Sequence, residues 1–165
     1  MDKQIYIIVV EDELEVMDAL VGDLEFIESV FPVETANNTE EAKEIMQQIE
    51  EAGNQIGLIL CDHVLPGKNG IDLLIELQNH PTIKMSKKVL VTGQAGLEDT
   101  VQAINKAGLD YYVAKPWQKD ELQQVVVNQL TNFVIQQKLN PLPYMTVLDA
   151  TRLAEVLRNN TLTDN

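Results

Sequence analysis

Residues 57–67 read Gly57-Leu58-Ile59-Leu60-Cys61-Asp62-His63-Val64-Leu65-Pro66-Gly67. The first five form an uninterrupted apolar run, which reads as a buried strand. Pro66 and Gly67 mark the loop that follows. Asp62 therefore stands where a buried strand leaves the core, the crevice in which open α/β sheets bind ligands.

Outward from that stretch, short apolar runs alternate with amphipathic segments. Ile5–Val10 is rich in β-branched residues and predicts a first strand, and Leu14, Met17, Leu20, Val21, Leu24 and Ile27 predict a helix from Glu13 to about Ser29. A second strand is expected over 32–36, then a helix capped by Asn38 or Thr39 and running to about Glu51. The third strand is 56–61, followed by a short helix over 71–78 that Pro81 ends. A fourth strand over 87–91, a helix over 97–107 stopped by Gly108, a fifth strand over 109–113 and a helix over 119–138 complete the pattern. Repeated βα units predict a doubly wound parallel sheet with helices on both faces. The nearly continuous apolar character of the runs fits strands buried on both sides. After Lys138 the character changes: Asn140-Pro141-Leu142-Pro143 is a breaker, Thr146 to about Arg158 reads as one more amphipathic helix, and the tail from Asn159 reads as frayed. The division is a domain over 1–138 and a C-terminal helical extension over 139–165.

The chain has 165 residues, 45% of them hydrophobic and 23% charged, enough for one domain with a core plus an appendage. The net charge of −14 argues against a nucleic-acid partner, because phosphate contacts need clustered Lys and Arg. A single cysteine, Cys61, excludes an internal disulfide and reads as a small buried residue. No signal peptide is visible, and no apolar stretch approaches the roughly 18 residues of a spanning helix. No membrane partner is therefore expected, and the default compartment is the cytoplasm.

Other strand ends also carry reactive side chains. Glu11 and Asp12 end the first run, Thr92 ends the fourth, and Lys115 follows the fifth. Each alone has a plainer reading. An acidic pair at a helix start complements the helix dipole, an Asp before Pro-Gly forms turns, and a lysine before a proline is surface charge. The joint occurrence at the ends of separate strands favours one site. Two or three carboxylates can hold magnesium, a hard cation that takes oxygen ligands and keeps an open shell. Lys115 and Thr92 suit phosphoryl oxygens, and Gly93 leaves room beside them. The set matches an aspartate that accepts a phosphoryl group with help from a divalent metal.

Val10-Glu11-Asp12-Glu13, Asp62 to Gly70, Val91-Thr92-Gly93 and Tyr112-Val113-Ala114-Lys115-Pro116-Trp117, in that order and spacing, resemble the receiver domain of two-component response regulators over about residues 4 to 130. The resemblance implies a flavodoxin-like sheet of order 2-1-3-4-5, which the family illustrates. It also implies that Asp62 is the phosphoacceptor, taking its group from a sensor histidine kinase or phosphotransfer protein. Asp12 and Asp62 would ligate magnesium directly, Glu11 through water, and Val64 through its backbone carbonyl. Thr92 and Lys115 would contact the phosphoryl group, Tyr112 would be the switch aromatic, and the Lys115-Pro116 bond would be cis. Glu11 replaces the commoner aspartate. His63 reads as a variable loop residue rather than an acid-base group, and His80 also reads as a loop residue.

The expected protein is a single-domain regulator that catalyses only its own phosphorylation and dephosphorylation. It would signal to a downstream protein through the face around the fourth helix, fifth strand and fifth helix. The segment 147–157 would dock on that face, mediate homodimer formation or cover a local apolar patch. Residues 120–165 carry five acids and three bases, too acidic for a recognition helix on phosphates. Alternatives are a receiver cut from a longer regulator, a phosphatase of the haloacid dehalogenase type, and a degenerate receiver that accepts no phosphate. Such a phosphatase places an acid-base Asp two residues after its nucleophile, where this chain has Val64. Valine also cannot hydrogen-bond an attacking water, which predicts a long-lived phosphoryl state. Val64→Asn should shorten the phosphoryl lifetime several-fold in an intact-mass time course. Rapid loss in the unaltered chain, with no effect of the substitution, would count against this reading.

Overall fold

The computed structural model describes residues 3–93, 101 and 103–163. Five strands, β1 (Ile5–Val10), β2 (Val33–Ala36), β3 (Gln55–Cys61), β4 (Lys87–Thr92) and β5 (Tyr111–Ala114), form one sheet of order β2-β1-β3-β4-β5. Every pairing is parallel. The helices are α1 (Leu14–Asp23), α2 (Thr39–Glu51), α3 (Gly70–Leu77), a π-helical turn α4 (Ala103–Ala107), α5 (Lys119–Gln136) and α6 (Ala150–Thr163). This is the expected doubly wound architecture.

Alternate strand residues feed two cores, as parallel strands covered on both faces require. On one side Ile7, Val9, Leu58, Leu60, Val89 and Val91 pack with α1, the turns after it and α5 through Leu20, Leu24, Leu122, Val126 and Leu130. On the other Ile8, Val10, Ile59, Cys61 and Leu90 pack with α2 and α3 through Ala42, Met46, Leu73 and Leu74. Gly57 faces the first core, where a Cβ would lie 2.5 Å from Ile5 Cγ2 and 3.1 Å from Leu130 Cδ2. The cap of α2 is Asn38, whose side chain accepts from Glu41 N at 2.8 Å, and that of α3 is Asn69, accepting from Asp72 N at 2.8 Å.

Most strand and helix bounds shift slightly from the sequence reading, β5 starting at Tyr111 rather than Leu109 and α5 ending at Gln136 rather than Lys138; the larger differences are at helix ends. The first helix stops at Asp23 instead of about Ser29. Beyond it Glu25, Ile27 and Val30 donate to Gly22, Leu24 and Ile27, three residues back. That tighter winding lines up side chains three apart and so carries Leu24 and Ile27 into the core. The last helix starts at Ala150, not Thr146, because Asp149 Oδ1 accepts from Arg152 N at 3.2 Å. Residues 159–163, expected to fray, continue that helix. Of the helix expected over 97–107, residues 97–100 and 102 lie outside the described residues; its end is the π-helical turn, with Gly108 at φ +66° after it.

Residues 139–158 pack onto the α1/α5 core. Leu148 and Leu153 are buried, and Leu139, Tyr144, Met145 and Val147 pack partly against the same cluster. The Tyr144 ring stacks on Phe31 with centroids 5.3 Å apart. Arg152 Nη2 donates to Asn132 Oδ1 at 2.6 Å, and Asp149 N donates to Thr131 Oγ1 at 3.2 Å. The extension therefore covers an apolar patch of its own chain. Among the described residues, no helix is long and apolar enough to cross a membrane.

Leu153 is fully buried, so Leu153→Ala should lower stability by about 2–5 kcal/mol in urea unfolding, the range for truncating a core leucine. A loss below about 1 kcal/mol would show that the extension does not share the core's cooperativity.

Candidate functional site

The register of the sheet brings the reactive residues to one end. Val10 is level with Cys61 across β1 and β3, and Thr92 with Ala114 across β4 and β5. The residue after each strand continues the ladder: Asp62 N donates to Val10 O at 3.0 Å, Glu11 N to Ala36 O at 3.0 Å, and Lys115 N to Thr92 O at 3.3 Å. In this strand order β1 and β3 are neighbours, so Glu11 and Asp12 lie beside Asp62. Lys115 reaches them from β5 across the end of β4.

Lys115 Nζ lies 2.8 Å from Glu11 Oε2 and 3.2 Å from Asp62 Oδ2. The Glu11 side chain is fully buried and that of Asp62 is 5% exposed, so neither charge is well solvated. Burial pushes the Glu11 carboxyl above its usual range and Asp62 adds to the rise, while hydrogen bonds from Lys115 and from Glu13 N oppose it. For Lys115, burial is the largest single influence and favours the neutral amine. The Glu11 hydrogen bond and the charges of Asp62 and Glu11 together outweigh it, so the ammonium is held charged. Burial first, then the Asp62 and Glu11 charges, push the Cys61 thiol far up, which makes it inert.

Carboxylate oxygens of Glu11, Asp12 and Asp62 lie within 4.8 Å of one another. Asp62 Oδ1 is buried and meets no hydrogen-bond partner among the described residues. With all groups ionised, three carboxylates face one ammonium and leave two negative charges. An all-oxygen donor set with excess negative charge and an unsatisfied carboxylate oxygen fits a hard divalent cation. Thr92 is fully buried at the end of β4, and its carbonyl accepts from the Tyr112 hydroxyl at 3.0 Å. Tyr112 is half-buried against the α2/α3 core. The Lys115-Pro116 peptide bond is cis. Val64 is exposed in the loop after Asp62. A Cβ on Gly93 would make ordinary contact with Lys115 at 3.7 Å.

One residue at the site escaped the sequence reading. Gly70 opens α3, and its N donates to His63 O at 2.9 Å. A Cβ there would lie 1.8 Å from Asp62 O and 2.8 Å from Cys61 Sγ. The absence of a side chain lets the start of α3 press against the backbone that carries Asp62. The only sequence signal was a glycine directly after an Asn cap, which reads equally well as a loop residue.

Removing the ammonium leaves two buried carboxylates uncompensated. Lys115→Met should therefore destabilise the protein by about 3 kcal/mol. Millimolar divalent cation should raise the melting temperature of this variant more than that of the unaltered chain, because the metal replaces the lost charge. Equal shifts in the two proteins would show that lysine and metal do not share the cluster.

The sequence matches the response regulator receiver domain over residues 7–127. It is 32% identical to the hydrogenase transcriptional regulatory protein HoxA of Cupriavidus necator over 126 residues, covering 76% of this chain and 24% of that protein. The chain thus spans about a quarter of the length of the HoxA proteins it matches. It is 26% identical to the chemotaxis protein CheY of Halobacterium salinarum over 132 residues, covering 79% of this chain and 99% of that one. A CheY-like response regulator receiver domain from Methanospirillum hungatei superposes with a TM-score of 0.69 at 27% identity, covering 82% and 99% of the two chains. Strand order, the acidic cluster at the strand ends and these matches agree: the chain belongs to the response regulator receiver domain family.

Proposed function

We propose that this domain accepts a phosphoryl group on Asp62 from the phosphohistidine of a sensor histidine kinase or phosphotransfer protein. The observation that carries this reading is the divided state of the Asp62 carboxylate: Oδ2 is held by Lys115 at 3.2 Å, while Oδ1 is buried and unengaged among the described residues. In the transfer an Asp62 oxygen attacks phosphorus, an O–P bond forms and the N–P bond breaks; the donor ring, protonated on its other nitrogen, leaves as neutral imidazole. Magnesium, held by Glu11, Asp12, Asp62 and the Val64 carbonyl, would neutralise charge on the phosphoryl oxygens. Lys115 orients the attacking carboxylate and then offers its ammonium to the new phosphoryl group. Thr92 would donate its hydroxyl to another phosphoryl oxygen.

The phosphoryl group carries roughly −1.5 to −2 charge and replaces the charge of the Asp62 carboxylate, so the strand ends gain up to about one negative charge, spread over three acceptor oxygens. Movement of Thr92 toward it would disturb the Tyr112-Thr92 hydrogen bond and release the Tyr112 ring to turn inward. That couples the site to the surface near β5, through which a downstream protein or a second copy of the chain would read the state. The chemistry is confined to the domain's own phosphorylation and dephosphorylation, as befits a signalling module.

A second reading is favoured by the HoxA match, in which the chain covers only a quarter of a transcriptional regulator. The domain would then control an effector joined to it, and the exclusion of nucleic acid expected from its charge is not supported for such a whole protein. The near-complete coverage of CheY fits the single-domain reading.

Incubation with acetyl phosphate and magnesium should give one phosphoryl adduct by intact mass, absent in Asp62→Asn. Sizing of the same sample reads any phosphorylation-dependent dimer. No adduct on folded, metal-bound protein would support a degenerate receiver instead.

A further inference from the structure

Helices antiparallel to the strands end at the opposite side of the sheet from Asp62. There a groove of about 490 Å³ opens between the C-terminal halves of α2 and α3. Leu77 and Ile83, both buried, with Pro81 line its apolar part, and Gln47, Glu50, Glu51 and His80 form its rim. A helix C-terminus carries partial negative charge and is normally complemented by cations. Here the last turn of α2 holds Glu50 and Glu51, that of α3 holds Glu76, and neither carries a basic residue.

The nearby cations are already engaged. Lys43 and Lys68 lie 3.3 Å and 2.7 Å from Glu76 Oε2. His80 accepts at Nδ1 from Thr82 N and Ile83 N at 3.2 and 3.1 Å, which fixes its ring and directs Nε2 to Glu50 Oε1 at 3.2 Å. Glu51 is exposed and meets the Gln47 amide at 2.9 Å. The groove thus joins an apolar floor to a rim whose negative charge exceeds its positive charge.

We propose that this groove docks a basic amphipathic segment of a partner protein. An apolar side chain of that segment fills the space over Leu77 and Ile83, and its lysines or arginines meet Glu50 and Glu51. A second copy of this chain is disfavoured as occupant because each copy carries a net charge of −14. The contact needs no phosphoryl group and would give the domain a partner face separate from the Asp62 cluster.

The test titrates the full chain, without phosphodonor, with a short leucine-lysine peptide patterned as an amphipathic helix, followed by backbone amide NMR. Shifts should concentrate in the second half of α2, the end of α3 and residues 79–83. Glu51→Lys, which complements the helix dipole and should preserve the fold, should weaken binding about fivefold or more. Glu28→Lys makes the same charge change at an exposed position beyond α1 and should weaken it less than about twofold. Gln47→Trp, placed to fill the groove, should abolish binding. Equal losses in the two charge variants, shifts centred elsewhere, or full binding to Gln47→Trp would each overturn the proposal. So would self-association of the unaltered chain that Gln47→Trp removes, which would assign the groove to a second copy.

Discussion

Two carboxylates and one ammonium, Glu11, Asp62 and Lys115, are held at the buried end of a parallel sheet. Buried charges are costly unless they are paired. The site depends on that condition being met by a side chain from a different strand. Lys115 compensates only part of the acidic charge, and Asp12 at the rim adds to the excess. The cluster is therefore poised for a further cation and, with it, for an anionic group that the metal and Lys115 can share.

The fold supplies this arrangement through strand order. With β1 and β3 adjacent and in register at Val10 and Cys61, the residues that follow them meet without any loop having to reach inward. The cis bond at Lys115-Pro116 follows directly after the strand that delivers Lys115. Trp117 Nε1 then donates to Asp23 Oδ2 at 2.8 Å, and Gln123 Nε2 to Asp23 O at 3.0 Å, so the segment after the lysine is anchored on the end of α1. From the other side, Gly70 lets α3 start against the Asp62 backbone.

Much of this was legible in the sequence because strands buried on both faces leave continuous apolar runs, and the residues that end them stand out. Glu11, Asp12, Asp62, Thr92 and Lys115 were all identifiable in that way, and the structure brings them to one end of the sheet. What escaped depends on contacts between distant segments. The tight turns after Asp23 repeat apolar residues at three-residue spacing, which mimics a continuing helix. The start of α6 is set by Asp149, a cap that competes with an equally plausible start at Thr146. Lys87 and Lys88 looked like ordinary residues at a strand start, yet both are buried. Lys88 Nζ donates to Lys84 O and Ser86 O, and burial, aided by Lys87 and opposed by Asp110, pulls its pKa down to about 8. No period in the sequence encodes such burial.

The most direct measurement locates the acyl phosphate by chemistry. Borohydride reduces an aspartyl phosphate to homoserine, which tandem mass spectrometry assigns to a position. After phosphodonor and magnesium, homoserine at position 62 alone, lost when the metal is chelated, is the predicted result. Reduction at Glu11 or Asp12, or none at position 62 in protein that carries the phosphoryl mass, would contradict the account.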